Sequence, residues 1–224
     1  IPRIRNDAHK LIEEAMLAAN VCAADFITRG KQPGLYRIHE GPTPEKVEIL
    51  RNYLRMLGIN AHVSDEPTPG ELAEIAEATK DRPDAEQVHT MLLRSMQQAI
   101  YSPYNSGHFG LAYASYTHFT SPIRRYPDLL VHRVIKAILR GEKYHLPTLP
   151  TPGEAQAKLS QRLQKNGANR AQQPTAKNKK QTAELQAWQA AGLHCSANER
   201  RADEASRDVE AWLKCKYMRE HLGE

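Results

Sequence analysis

The stretch that most restricts how this chain can fold is Ser121-Pro-Ile-Arg-Arg-Tyr-Pro-Asp128, which runs on into Leu129-Leu-Val-His-Arg133. Ser121 suits an N-cap and Pro122 the first helical position, so the pattern predicts a helix start here. Such a start aims free backbone N–H groups, and the positive end of a helix dipole, at whatever lies in front. Arg124 and Arg125 add two guanidinium forks, each shaped for bidentate contact with a phosphate. Hydroxyls of Thr120, Ser121 and Tyr126 surround them. This constellation would receive an anionic substrate. The same residues also make a solvated helix cap, and local physics alone leaves the two readings even.

The wider composition permits the first reading without demanding it. The chain has 224 residues and a formal net charge of +5. Mild basicity allows a polyanionic partner. No apolar run reaches bilayer-spanning length and no secretory pattern opens the chain, so no membrane partner is expected. Cys22, Cys195 and Cys215 are odd in number and lack metal-ligand spacing. Buried free thiols in a reducing cytoplasm are the expectation. The chain opens at Ile1 with no initiator Met, as expected of a piece of something longer.

Periodicity predicts an α+β fold that is mainly helical, with long helices packed on a few short strands. A first helix spans about 7–27, with Ala8, Leu11, Ile12, Ala15, Ala18, Ala19 and Cys22 on one face and Glu13, Leu17 and Asn20 on a second. Leu35–His39 reads as a short strand, with His39 structural because no orienting partner accompanies it. Pro44 opens a helix through Val47, Leu50, Leu54 and Leu57, stopped by Gly58. Further helices are expected at about 70–78 and 84–100, the latter with Met91 and Met96 in the core. Arg94 suits a surface ion pair or a strut. His108–Ala112 reads as a strand. His108 and His118 could each donate to a phosphate or tie down backbone, with equal weight. A helix at 127–139 carries Leu130, Val134, Ala137 and Ile138 inward and ends at Gly141. Residues 141–181 are rich in Pro, Gln and Asn and read as an insertion or flexible loop, with a weak helix at 154–164 and a basic run at 177–180. Ser196-Ala-Asn-Glu199 is a capping box expected to open a helix to about 220, with Ala202, Ala205, Val209, Trp212 and Leu213 buried.

The block Thr120-Ser-Pro-Ile-Arg-Arg-Tyr-Pro-Asp128, with His132-Arg133 after it and His108-Phe-Gly-Leu-Ala112 and Tyr116-Thr-His-Phe119 before it, resembles the RNB-domain exoribonucleases of the ribonuclease II and ribonuclease R type. The ribonuclease R branch is the nearer, and Leu11–Asn20, Leu92–Met96 and the block from His194 to Ala205 carry the resemblance over nearly the whole chain. A block of this length is far more specific than a short motif. The resemblance implies the C-terminal half of an RNB-type catalytic domain over 1–224. It implies processive hydrolysis of single-stranded RNA from its 3′ end, with release of nucleoside 5′-monophosphates in the cytoplasm. It also implies magnesium held by an aspartate cluster. No D-x-D-D pattern occurs in this chain, so those aspartates and the RNA-binding side domains are expected upstream, and this piece alone is expected to be inactive. By the same resemblance Arg124 matches the arginine at the scissile phosphate, and Arg125 and Tyr126 its supporting neighbours. Glu13 or Glu14 matches an acid that holds the last nucleotide, and spacing does not choose between them. Ser121, Asn20 and His108 complete the expected RNA contacts; no metal ligand is expected in the chain. The other class left open is a non-catalytic RNA- or protein-binding module on the same scaffold.

Overall fold

The computed structural model describes residues 4–146 and 179–222. Helix α1 spans Asp7–Arg29, opened by a capping box between Asn6 and His9. Strand β1 (Tyr36–Ile38) pairs antiparallel with β2 (Ile100–Ser102), Arg37 opposite Tyr101. Between them lie α2 (Pro44–Met56), α3 (Pro69–Thr79) and α4 (Ala85–Ser95). A 3-10 turn at Phe109–Leu111 follows, then α5 (Tyr126–Arg140) and α6 (Lys179–Met218). The fold is α+β and mainly helical, as the periodicity implies.

Two cores result. Helices α2, α3 and α4 close on Val47, Leu50, Leu54, Leu72, Ile75, Val88 and Leu92. Thr43 and Thr68 cap α2 and α3 with prolines in the first turn, so local chemistry sets both starts. The second core joins α1, α5 and α6 through Ala23, Ile27, Leu130, Val131, Val134 and Trp188, with Leu35 and Tyr101 between them. A two-stranded ribbon of this length is marginal alone. Here α6 packs along it: a Cβ added to Gly192 would stand 2.5 Å from the Tyr101 carbonyl oxygen.

Several expectations change. The small-residue stripe of α1 faces solvent, with Leu11 70% exposed. The buried face is instead Asn20, Ala23, Ala24 and Ile27, on the line that begins at Glu13. Both stripes have helical spacing, and only the second continues to where α5 and the ribbon lie. Helix α4 ends at Ser95, because Met96 turns extended and the Gln97 side chain donates to the Gly41 carbonyl at 2.9 Å. Ile100 therefore belongs to β2. His108–Ala112 is not a strand: His108 makes single bridges to His39 and Tyr113, and the chain then turns.

The capping box at Ser196 does not start a helix, since α6 runs 40 residues straight through it. The Ser196 hydroxyl donates to the Gly192 carbonyl at 2.8 Å and accepts from the Tyr101 N–H at 2.9 Å. Beyond Glu199 the helix leaves the core, and the expected stripe from Ala202 to Leu213 is exposed, Trp212 by 61%. Only Cys195 is a buried thiol, pushed up to about 11 by burial; Cys22 and Cys215 are exposed. The helix expected at 154–164 lies outside the described residues. Just before it, Gln32 on the α1–β1 connection binds the Glu142 carbonyl and the Tyr144 N–H.

Candidate anion-binding site

The segment 116–121 crosses the molecule between α1 and α5 and is fixed at almost every residue. Asn20 is 2% exposed and holds it from α1. Its amide donates to the Tyr116 hydroxyl at 2.9 Å, and its carbonyl accepts the N–H groups of Phe119 (2.9 Å) and Thr120 (3.3 Å). From the other side, Thr117 donates to the Leu35 carbonyl and the Tyr116 carbonyl accepts the Arg37 N–H. The His132 ring of α5 stacks on Phe119 with centroids 4.1 Å apart, its Nε2 2.9 Å from the Phe119 carbonyl.

The chain then makes a tight turn before α5. The Ser121 carbonyl accepts the N–H groups of Arg124 (3.3 Å) and Arg125 (3.1 Å). Ser121 is not the N-cap; Arg125 occupies that position and Pro127 lies in the first turn. The reason is Asp128, fully buried, whose Oδ1 reaches back to accept the Ser121 N–H at 2.8 Å. Oδ1 also accepts from Arg125 Nη2 at 2.9 Å. The two arginines therefore differ. Arg125 is half-buried and paired, whereas Arg124 is exposed with no side-chain partner among the described residues. It follows Ile123, which stands 99% exposed at the tip. Tyr126 is exposed beside it. Thr120 Oγ1, Arg125 Nε and Asp128 Oδ2 are buried without a hydrogen-bond partner among the described residues.

Behind the turn lies an aromatic support that no local pattern announced. The Tyr101 hydroxyl stands 2.8 Å from His118 Nδ1. The Arg37 guanidinium lies over the Tyr101 ring, 4.6 Å from its centroid, and pairs with Glu199 of α6 at 2.7 Å. Burial, with the charges of Arg125 and Arg37, pushes His118 down to about 3. Burial and the neighbouring His39 push His108 down to about 4. Both imidazoles are neutral at pH 7, so the site's positive charge is that of its arginines.

The sequence-expected residues are thus distributed. Arg124, Arg125, Ser121 and Tyr126 share one turn. Asn20, expected as an RNA contact, is committed to holding segment 116–121. His108 sits in the aromatic cluster, its ring edge-on to Tyr116 at 5.3 Å and tilted against His39 at 4.9 Å. His39 is structural: its Nε2 donates to the Gln97 carbonyl and its Nδ1 accepts the Gly110 N–H. Glu13 and Glu14 are exposed. Glu13 pairs with Arg5, whose hydrogen bonds hold its carboxyl below the ordinary range. Glu13 shares the face of Asn20, about 10 Å away along the helix axis. Asp128, Tyr101, Arg37 and Glu199 are the residues sequence reasoning missed. An acid directly after Pro127 was the one visible signal. Among the described residues no group of three or more His, Cys, Asp or Glu could hold a metal ion.

Comparison with known proteins bears on this geometry. A family profile described as "RNB domain" matches residues 1–141. Ribonuclease R of Escherichia coli is 47% identical over 219 residues, covering 98% of this chain and 24% of that enzyme. The apo form of Mycoplasma genitalium RNase R superposes with a TM-score of 0.74 at 24% identity, over 99% of this chain and 30% of that one. The same enzyme in complex with ribose methylated single-stranded RNA gives 0.68 at 23% identity, with the same coverages. The chain spans about a quarter of the length of the ribonuclease R sequence it matches. A profile match over more than half of its residues, with the arginine turn inside the matched region, shows that this chain belongs to the RNB-domain family.

Proposed function

We propose that this chain is the part of a 3′-to-5′ hydrolytic exoribonuclease that grips the phosphate at the cleavage point of single-stranded RNA. The observation that carries the reading is the inequality of the two arginines. A guanidinium on a turn held at both ends, with no partner among the described residues, is preorganised for charge that builds on a phosphate. Its neighbour is tied down and cannot compete. Ribonuclease R relatives, one solved with RNA bound, support the same reading. Release of nucleoside 5′-monophosphates and processive action belong to the proposal, as does magnesium bound by carboxylates outside this chain. Of the two candidate acids we favour Glu13, which shares the face of Asn20, over Glu14. The three free cysteines support a reducing cytoplasm. On this reading the chain by itself has no useful activity, and a non-catalytic module becomes the alternative if cleavage does not depend on the turn.

The test is Arg124→Ala in the full-length protein, read by single-turnover release of mononucleotides. One donor aimed at developing charge is worth about two to three decades in rate. RNA affinity should barely move, because RNA is held at many phosphates. Arg124→Lys should recover only part, since an ammonium does not reproduce the fork. Cleavage at the native rate by Arg124→Ala would sink the proposal.

A further inference from the structure

We propose that Asp128 is a positioning residue that assigns different tasks to the two arginines: it ties back Arg125 and closes the Ser121–Arg125 turn so that Arg124 alone meets the phosphate. This rests on the reading of Arg124 given above. One carboxylate oxygen accepts both the Ser121 N–H at 2.8 Å and Arg125 Nη2 at 2.9 Å. The turn's first residue and its last are therefore fixed to a single atom, which itself sits on the rigid first turn of α5. Arg124 leaves the turn just before the second tether.

Stability alone does not account for this arrangement. A buried ion pair is weak evidence for stability, because desolvation offsets its attraction and an apolar pair often packs as well. Here the desolvation is also incompletely compensated: Asp128 Oδ2 and Arg125 Nε have no partner among the described residues. What the pair does achieve is geometric. Without it, two adjacent guanidinium groups would stand on one mobile turn, and an incoming phosphate could be captured by either. Capture by Arg125 would hold RNA in a register displaced from the cleavage point.

The experiment uses the full-length protein and a labelled single-stranded RNA oligonucleotide, measuring single-turnover rate and the salt dependence of binding. Asp128→Asn keeps an acceptor oxygen for Ser121 but removes the charge that holds Arg125, which weakens that tether. Misplacement of a positioned group by about 1 Å costs up to about a hundredfold, so the rate should fall by about one to two decades. The freed guanidinium should steepen the salt slope of binding by about 0.7, the value for one added contact on a single strand. Rate and affinity then move in opposite directions, which a merely structural role would not produce. Arg125→Gln/Asp128→Asn should return the slope to native while the rate stays low, because the turn remains open at its end. This double variant buries no uncompensated charge, and it carries the test if the single variant does not fold: slow cleavage with native affinity supports the inference. A native rate in either variant, with Arg124→Ala slow, overturns the inference alone. Parallel loss of rate and affinity in Asp128→Asn overturns it too. Arg124→Ala at the native rate removes the reading beneath it.

Discussion

Gly192→Ala sets two well-characterised effects against each other at the point where α6 crosses the ribbon. In an exposed helix interior, Ala in place of Gly gains about 1 kcal/mol from propensity. At this position the new Cβ would stand 2.5 Å from the Tyr101 carbonyl oxygen and 3.1 Å from its carbonyl carbon. These are backbone atoms, so no rotamer change relieves the contact, and α6 must lift from β2. Overpacking of this kind costs about 1–3 kcal/mol. Lifting also stretches the Tyr101 N–H bond to Ser196, now 2.9 Å, and an unsatisfied buried N–H costs about 1–3 kcal/mol more. Summed with the propensity gain, the variant should be destabilised by about 1–5 kcal/mol. Urea unfolding monitored by circular dichroism measures this. Gly30→Ala is the control. Its Cβ would also meet an atom at 2.5 Å, but that atom is the side-chain terminus Ile138 Cδ1, with Cγ1 at 3.1 Å, rather than backbone, and the Gly30 backbone is ordinary αR. It should change stability by less than about 1 kcal/mol, because a side chain at a helix end can turn away. Gly192→Ala as stable as the native chain would refute the argument that α6 is seated by backbone contact.

Two further outcomes follow from the support of the turn. Asn20→Ala leaves the Tyr116 hydroxyl and the Phe119 N–H without their partner and should cost about 2–6 kcal/mol by the same denaturation assay, since each buried orphan costs about 1–3 kcal/mol. A change below about 0.5 kcal/mol would mean the segment is held by other means. Acidification should destabilise the fold between pH 6.5 and 5. His108 and His118 have folded values of about 4 and about 3, below the ordinary 6.5, so their contribution is complete above pH 6.5 and is lost as pH falls toward the folded values. Each proton bound only by the unfolded chain adds a slope of about 1.4 kcal/mol per pH unit, about 2.7 for the pair at full difference. Burial lowers His39 as well, in the same direction. A urea midpoint flat across that window would contradict the buried, neutral rings.

Legibility in the sequence followed the range of the interactions. Helices α2, α3 and α5 were readable because their starts and stops are local: Thr43 with Pro44, Thr68 with Pro69, and Gly141 in the left-handed region after α5. The two arginines were readable as residue types. The resemblance alone assigned them different roles; the pairing of Arg125 was not readable locally, because it depends on the burial of Asp128, which α5 creates only by packing. Ser121 had every attribute of an N-cap, yet the helix starts later, with Arg125 at the cap position, and the Ser121 N–H is instead bound back by Asp128 from the first turn. The face of α1 was ambiguous because two stripes fit one period. Ser196 carried a capping-box pattern, but tertiary contact with Tyr101 gives its hydroxyl another use, and the residues before it extend the helix.

The contact between Arg37 and Glu199 has a consequence in time. Its partners are 162 residues apart in sequence, and those of the Tyr101–Ser196 bond are 95 apart. At about 5–20 residues per second of synthesis, roughly 8–32 s separate the emergence of the ribbon's first strand from that of the helix that seats it. Through that interval the nascent chain holds the α2–α3–α4 core, built from contacts close in sequence, alongside a ribbon that cannot stand by itself. The arginine turn, which leans on Tyr101 through His118, would therefore reach its final shape last. If the proposed reading holds, a growing chain would acquire its grip on polyanions only after the helix had left the ribosome, a machine made largely of RNA.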